Sequence, residues 1–185
     1  MLARLVLLSF PAVASAAGDE WTKLAAPNFE VFTTAGQGRG REVLQHFEQM
    51  RGFFLSKTGW NLPPGPPVRV VVFRSEKQFD LYRDSKIFGA YYLSGRDRDY
   101  IVMGPASSQG RRLAAATFLY LLIRKSGMQL PLWLQVGLAE LYSTLTPFAG
   151  KVKVGHPLEH HVRTLATSRW YHLETLFAVT HDSPV

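Results

Sequence analysis

Arg112-Leu-Ala-Ala-Ala-Thr-Phe-Leu-Tyr-Leu-Leu-Ile-Arg124 is the stretch on which the fold turns. Between the two arginines, Leu113 to Ile123 is apolar except for Thr117. A helix with no polar face is normally buried at the centre of a domain. A run of about 11 residues is too short to cross a bilayer, which takes roughly 20. Gly127 ends the helix, as glycine commonly does just past a helix C-terminus. Leu130-Pro-Leu132 then leads into a second helix from about Trp133 to Ser143. These two helices are the expected core.

Toward the N-terminus the text changes period. Asn28-Phe-Glu-Val-Phe-Thr-Thr34 alternates and reads as a strand, broken by Gly36 and Gly38. From Arg41 to Lys57 the apolar residues Val43, Leu44, Phe47, Met50, Phe53 and Phe54 recur at helical spacing, with Glu42, Gln45, Glu48 and Gln49 turned outward. The proline-rich Asn61–Pro67 is a rigid connector. Val68–Phe73 is a strand, apolar apart from Arg69. Ser75 and Gln78 form a capping-box pattern that opens a short helix, with Phe79 and Tyr82 on one face. Gly89–Ser94 and Tyr100–Met103 are strands joined by the polar loop Gly95–Asp99. In the tail, Lys151–Val154 reads as a short strand, and Leu158–Thr167 and Leu173–Val179 as weak helices. Strands first and helices after predict an α+β domain. Its small mixed sheet of about four strands packs on the helix 41–57 and on the two-helix core, 112–124 and 133–143.

Composition narrows the class. The 185 residues are 46% hydrophobic and 19% charged, which suits a packed core. With no cysteine, disulfides and thiol nucleophiles are excluded. The net charge is +7, but the cations (Arg39, Arg41, Arg96, Arg98, Arg111, Arg112, Arg124, Lys125, Lys151, Lys153) are scattered. With neither a basic stripe nor a nucleic-acid-binding module, a nucleic-acid partner is not expected. A basic surface with affinity for anionic envelope components is. Arg4, the apolar Leu5–Val13 and Ala14-Ser15-Ala16 have the order of a secretory signal cleaved after Ala16. Residues 1–16 are therefore read as a signal peptide and 17–185 as one exported domain, periplasmic or secreted, with no membrane span after cleavage.

Several segments together resemble a known family. They are Trp21 with Asn28-Phe-Glu-Val-Phe-Thr, Phe47-Glu-Gln-Met-Arg51, Val70-Val-Val-Phe-Arg-Ser, Gly89-Ala-Tyr-Tyr and Asp99-Tyr-Ile-Val-Met. Most specific is Leu130-Pro-Leu-Trp-Leu-Gln-Val-Gly-Leu-Ala-Glu-Leu-Tyr-Ser143. The chain resembles, over roughly 21–176, the peptidase-MA-like domains of exported bacterial proteins, a domain-of-unknown-function group similar in plan to the gluzincin metallopeptidases. The resemblance implies a zincin-like pair of core helices and metal-assisted hydrolysis. In H-E-x-x-H the histidines lie one helical turn apart on one Zn²⁺, and the Glu acts as base on the metal-bound water. A Glu on the next helix, in an E-G-L-A-E pattern, completes the ligand shell.

Carried over from the anchors Leu122–Arg124 and Leu130–Trp133, those positions hold no ligand set. The first His falls at Ala116, the Glu at Thr117, the second His at Tyr120 and the third-ligand Glu at Val136. Trp133, Gly137, Glu140 and Tyr142 are retained. Alanine and valine offer no donor atom, threonine is no base near neutral pH, and an unperturbed phenol titrates near 10. No His or acidic residue lies between Gln109 and Gln135, so a small register shift restores nothing. No zinc or other cofactor is expected at that site.

Two other constellations compete with plain structure. His156-Pro-Leu-Glu159-His160 matches the inverted H-x-x-E-H zinc pattern, with Glu159 as base and His172, Glu174 or Asp182 as third ligand. Against it, Pro157 keeps His156 at or outside the helix start, and the bland reading is a solvated helix start or an adventitious surface metal site at His160, His161 or His172. Trp133, Tyr142, Tyr91 and Tyr92 either line a peptide groove beside a sheet edge or pack in the ordinary way. Glu140 either joins a carboxylate pair with Glu48 or Asp80 or hydrogen-bonds the buried helix.

Three expectations follow. The first is an exported, non-catalytic, metallopeptidase-like protein that either binds peptide or envelope material in the vestigial cleft or has no separate role. The second is an active zinc hydrolase using His156, Glu159 and His160. The third is a truncated product, since domains of this group continue with further helices.

Overall fold

A computed structural model of the chain describes residues 20–59, 64–84, 89–148, 151–180 and 182–183. The expected signal segment, part of the proline connector and His181 lie outside the described residues. The elements run β1 (Thr22–Ala25), β2 (Phe29–Thr33), α1 (Gln37–Thr58), β3 (Val68–Val72), α2 (Glu76–Phe79), β4 (Ala90–Ser94), β5 (Asp99–Met103), α3 (Ser108–Lys125), α4 (Leu132–Ser143), β6 (Thr146–Phe148), β7 (Lys151–Lys153), α5 (Glu159–Thr167) and α6 (Leu173–Phe177). The class is α+β, as the sequence order predicts. None of these helices is long and apolar enough to cross a membrane.

The main sheet has five strands in the order β1-β2-β3-β5-β4, not about four. β2, β3 and β5 are parallel, and each outer strand, β1 and β4, is antiparallel to its neighbour. β1 escapes sequence reading because Thr-Lys-Leu-Ala has no run of β-formers; its pairing with β2, Thr22 opposite Thr33, makes it a strand. β6 escapes for the same reason and pairs with β7 as a separate hairpin.

Alternation sorts the sheet's two faces. Phe29, Val31, Val70, Val72, Ile101 and Met103 point to one face and are fully buried under α1 and α3. Phe29, Phe47 and Phe118 join β2, α1 and α3 through ring contacts of 5.2–5.5 Å. On the other face Phe73, Phe79 and Val102 form a smaller cluster under α2. Tyr82 stacks on Phe73 at 4.9 Å and Phe79 lies tilted against it at 6.0 Å, so the two share a face, as the sequence predicts.

α1 begins at Gln37, four residues before its expected start, because Gly36 at φ +84° turns the chain into the helix rather than away from it. Gly40 matters for a different reason, the close approach of α1 to the Leu24 side chain. A Cβ there would stand 2.4 Å from Leu24 Cδ1, so its absence lets α1 lie against β1. Glu48, expected outward, is half-buried and caps the start of β2 by accepting from Asn28 N and Nδ2 at 3.0 and 2.8 Å.

Candidate functional site

α3 is the element that places the site. It starts at Ser108, four residues before its expected start at Arg112, because the Ser107 hydroxyl caps it by accepting from Gly110 N at 3.0 Å. On one side it lies against β4. A Cβ on Gly89, at φ +71°, would come within 2.1 Å of Leu113 Cδ1, and the Arg124 guanidinium sits over the Tyr92 ring at 5.9 Å. Lys125 pairs with the buried Asp99, which also accepts from Tyr92 Oη at 2.6 Å. On its other side α3 meets α4, where Arg112 Nη1 donates to Glu140 Oε2 at 2.9 Å and to Ser143 Oγ at 3.4 Å.

Between β4 and α4 one stripe of α3 stays partly open, and this corrects the expectation of a helix buried all round. Leu113 and Thr117 are half-buried and Tyr120 is 37% exposed. They follow one another at helical spacing. Ala116 beside them is buried. The Thr117 hydroxyl is used internally, donating to Leu113 O at 2.9 Å. The Tyr120 hydroxyl is pushed above the ordinary phenol range, first by burial and then by the charge of Glu140. Val136 presents an apolar side chain on the exposed face of α4. Glu140 is held by Arg112 and lies 3.7 Å from His161 Nε2. It therefore makes the structural bond to the core helix rather than half of a carboxylate pair. This stripe offers no free general base and no nucleophile with a base beside it.

The aromatic groove does not assemble. Tyr91 and Tyr92 point to opposite faces of the sheet, Tyr91 against Phe79 and Tyr92 toward Arg124. Tyr142 packs on Phe54 at 4.9 Å, and Trp133 lies against Phe177 of α6 at 4.7 Å. Gly137 has nothing within 4 Å of its missing Cβ. The inverted histidine pattern is likewise dispersed. His156 is in the loop before α5, and Glu159 opens that helix paired to Arg163 at 2.8 Å. The His160 ring rests on His161 at 4.1 Å. Among the described residues, no three His, Asp or Glu side chains gather as metal ligands would.

A second feature escaped sequence reading altogether. At the N-terminal end of α3 a solvent-open cleft of about 440 Å³ is bounded by α1, α3, the α4–β6 turn and the loop before α5. His46, from α1, is on its wall. Burial, and to a smaller degree Arg111, holds this imidazole down to about 4, and its Nε2 is buried with no hydrogen-bond partner among the described residues. The cleft draws on positions as distant as 46 and 156, so no local spacing could announce it.

No family model matches the chain, and a search of curated proteins returns no significant match.

Proposed function

We propose that this chain is an exported metallopeptidase-like domain that does not catalyse hydrolysis and instead holds an extended peptide or envelope segment beside α3. The observation that carries the reading is the occupancy of the stripe between β4 and α4. Where the resemblance calls for two histidines, a base and a third ligand, the chain has a buried methyl at Ala116, an internally bonded hydroxyl at Thr117, a phenol at Tyr120 and an exposed isopropyl at Val136. The carboxylate retained there, Glu140, is neutralised by Arg112. Metal-assisted hydrolysis needs a water activated by a Lewis acid and a base, and these side chains supply neither.

Binding is supported by the sheet edge. Among the described residues β4 pairs only with β5, so its outer edge presents unpaired backbone donors and acceptors next to the open stripe. An extended segment can add to such an edge as a further strand. Export rests on the signal-like order of residues 1–16.

The test is zinc content and peptide hydrolysis of the purified chain, together with amide NMR against extended peptides. The expected result is substoichiometric zinc, no chelator-sensitive hydrolysis, and peptide-induced shifts concentrated at 90–94. Stoichiometric zinc that disappears in His160→Ala, together with hydrolysis, would replace this reading with an active hydrolase.

A further inference from the structure

The cleft at the N-terminal end of α3 lies apart from the β4–α4 stripe and has a chemistry of its own. Its volume of about 440 Å³ is within the range of about 300–1,000 Å³ usual for small-molecule sites. Its polar lining comprises the guanidinium groups of Arg111 and Arg112, the imidazoles of His46 and His156, and hydroxyls including those of Ser108 and Ser143. Among the described residues, no carboxylate lines it. Leu145, buried, and Leu158 supply the apolar part of the wall.

The two arginines have donors to spare. Arg111 uses Nη1 for Ala106 O at 2.6 Å and lies 3.7 Å from Glu42, whose carboxylate is already bonded to Arg39 at 2.9 Å. Arg112 uses Nη1 for both Glu140 and Ser143. A guanidinium carries five N–H donors in a planar fork, and two such forks on one wall suit a planar or tetrahedral oxyanion. The carboxylates that balance them stand outside the lining, so an anion entering the cleft meets cations and hydroxyls first. The N-terminal end of the 18-residue α3 adds a favourable field but is not needed for the assignment.

We infer that this cleft is a binding site for a small oxyanion, a phosphate- or carboxylate-bearing molecule, gripped by Arg111 and Arg112 with Ser108 as a hydroxyl partner, the Ser143 hydroxyl being spent on Glu140 O at 2.7 Å. The inference does not depend on the peptide-binding reading, because the two sites share only the Arg112–Glu140 pair at their boundary.

The experiment is calorimetric titration of the full chain with inorganic phosphate and, separately, with succinate, each at an ionic strength fixed with chloride. Saturable one-to-one binding of one anion is expected. Arg111→Gln should weaken it at least tenfold, while Arg163→Gln, on the exposed face of α5, should leave it unchanged. Phosphate-only or succinate-only binding identifies the ligand class. Should Arg111→Gln fail to fold, Arg111→Lys, which keeps the charge and loses the fork, should bind severalfold more weakly than the parent. In parallel, the His46 imidazole resonances should shift with the same saturation curve. Absence of saturable binding for both anions, or equal binding by the folded arginine variants, overturns the assignment.

Discussion

Single residues in this protein show where backbone approach and titration set stability. Gly110 sits in the first turn of α3 with its Cα against the chain. A Cβ there would stand 2.1 Å from Pro105 O, a backbone atom that cannot swing aside. Gly110→Ala should therefore cost about 1–3 kcal/mol in urea unfolding despite alanine's higher helix propensity. Two ionisable groups contribute to the acid limb of stability in separate pH windows. The unfolded chain protonates His46 near pH ~6.5, whereas the folded chain resists until about 4 because the ring is buried. Protons thus favour the unfolded state as pH falls from about 6.5 to about 4, and stability drops in that window. Glu30 acts lower. Lys23 first, then Arg69, hold its carboxyl down to about 2, and Arg98 adds a third contact at 3.0 Å. An unfolded glutamate protonates near ~4.3, so this contribution, complete above about pH 5, disappears as pH falls toward 2. In chemical denaturation against pH, His46→Gln should flatten the upper limb and Glu30→Gln the lower one.

At the scale of elements, the contact between α3 and α4 combines an apolar interface with one polar pin. Arg112 is mostly buried and Glu140 about one-third exposed. Glu140→Ala leaves the guanidinium without its main partner and should cost about 1–3 kcal/mol by urea unfolding. The double change Arg112→Met with Glu140→Leu should recover most of that loss, because a partly buried ion pair is worth little more than well-packed apolar groups. If the double variant is as unstable as Glu140→Ala, the pin does more than satisfy its own charges. The apolar side of α3 is less forgiving. Phe118 fills the space between Phe29 and Phe47, and Phe118→Ala should cost about 3–5 kcal/mol. The helix start shows how local rules compete. Gly36 and Gly38 are helix breakers by propensity, yet α1 runs through Gly38 because packing on β1 and β2 outweighs the roughly 1 kcal/mol that glycine costs in a helix.

The whole molecule divides into a dense sheet-and-helix body and a tail held by few contacts. α5 and α6 bury no residue. The contacts of the tail with the body include Phe177 on Trp133, His161 near Glu140, Val154 against the core, and Gly155 N donating to Thr144 Oγ1 at 2.8 Å. Trp170 and Tyr171 between them are 72% and 81% exposed. Segments with so little buried apolar area open independently of global unfolding. Phe177→Ser should therefore speed tryptic cleavage at Arg163 and Arg169 by about tenfold or more while leaving the urea midpoint of the body nearly unchanged. A matching fall in that midpoint would show instead that tail and body unfold together. The sequence by itself determined the class, four strands of the main sheet, the end of α3 just before Gly127 and of α4 at Ser143, and the lack of His, Asp or Glu between Gln109 and Gln135. These follow from short-range periodicity and residue chemistry, which act within a few residues. Only the tertiary structure decided that β1 is a strand, that α3 has an open stripe, that Glu140 is spent on Arg112, and that His46, Arg111, Arg112 and His156 share one cleft. Those facts depend on which surfaces are excluded from water by segments far apart in the chain, and no local spacing encodes that.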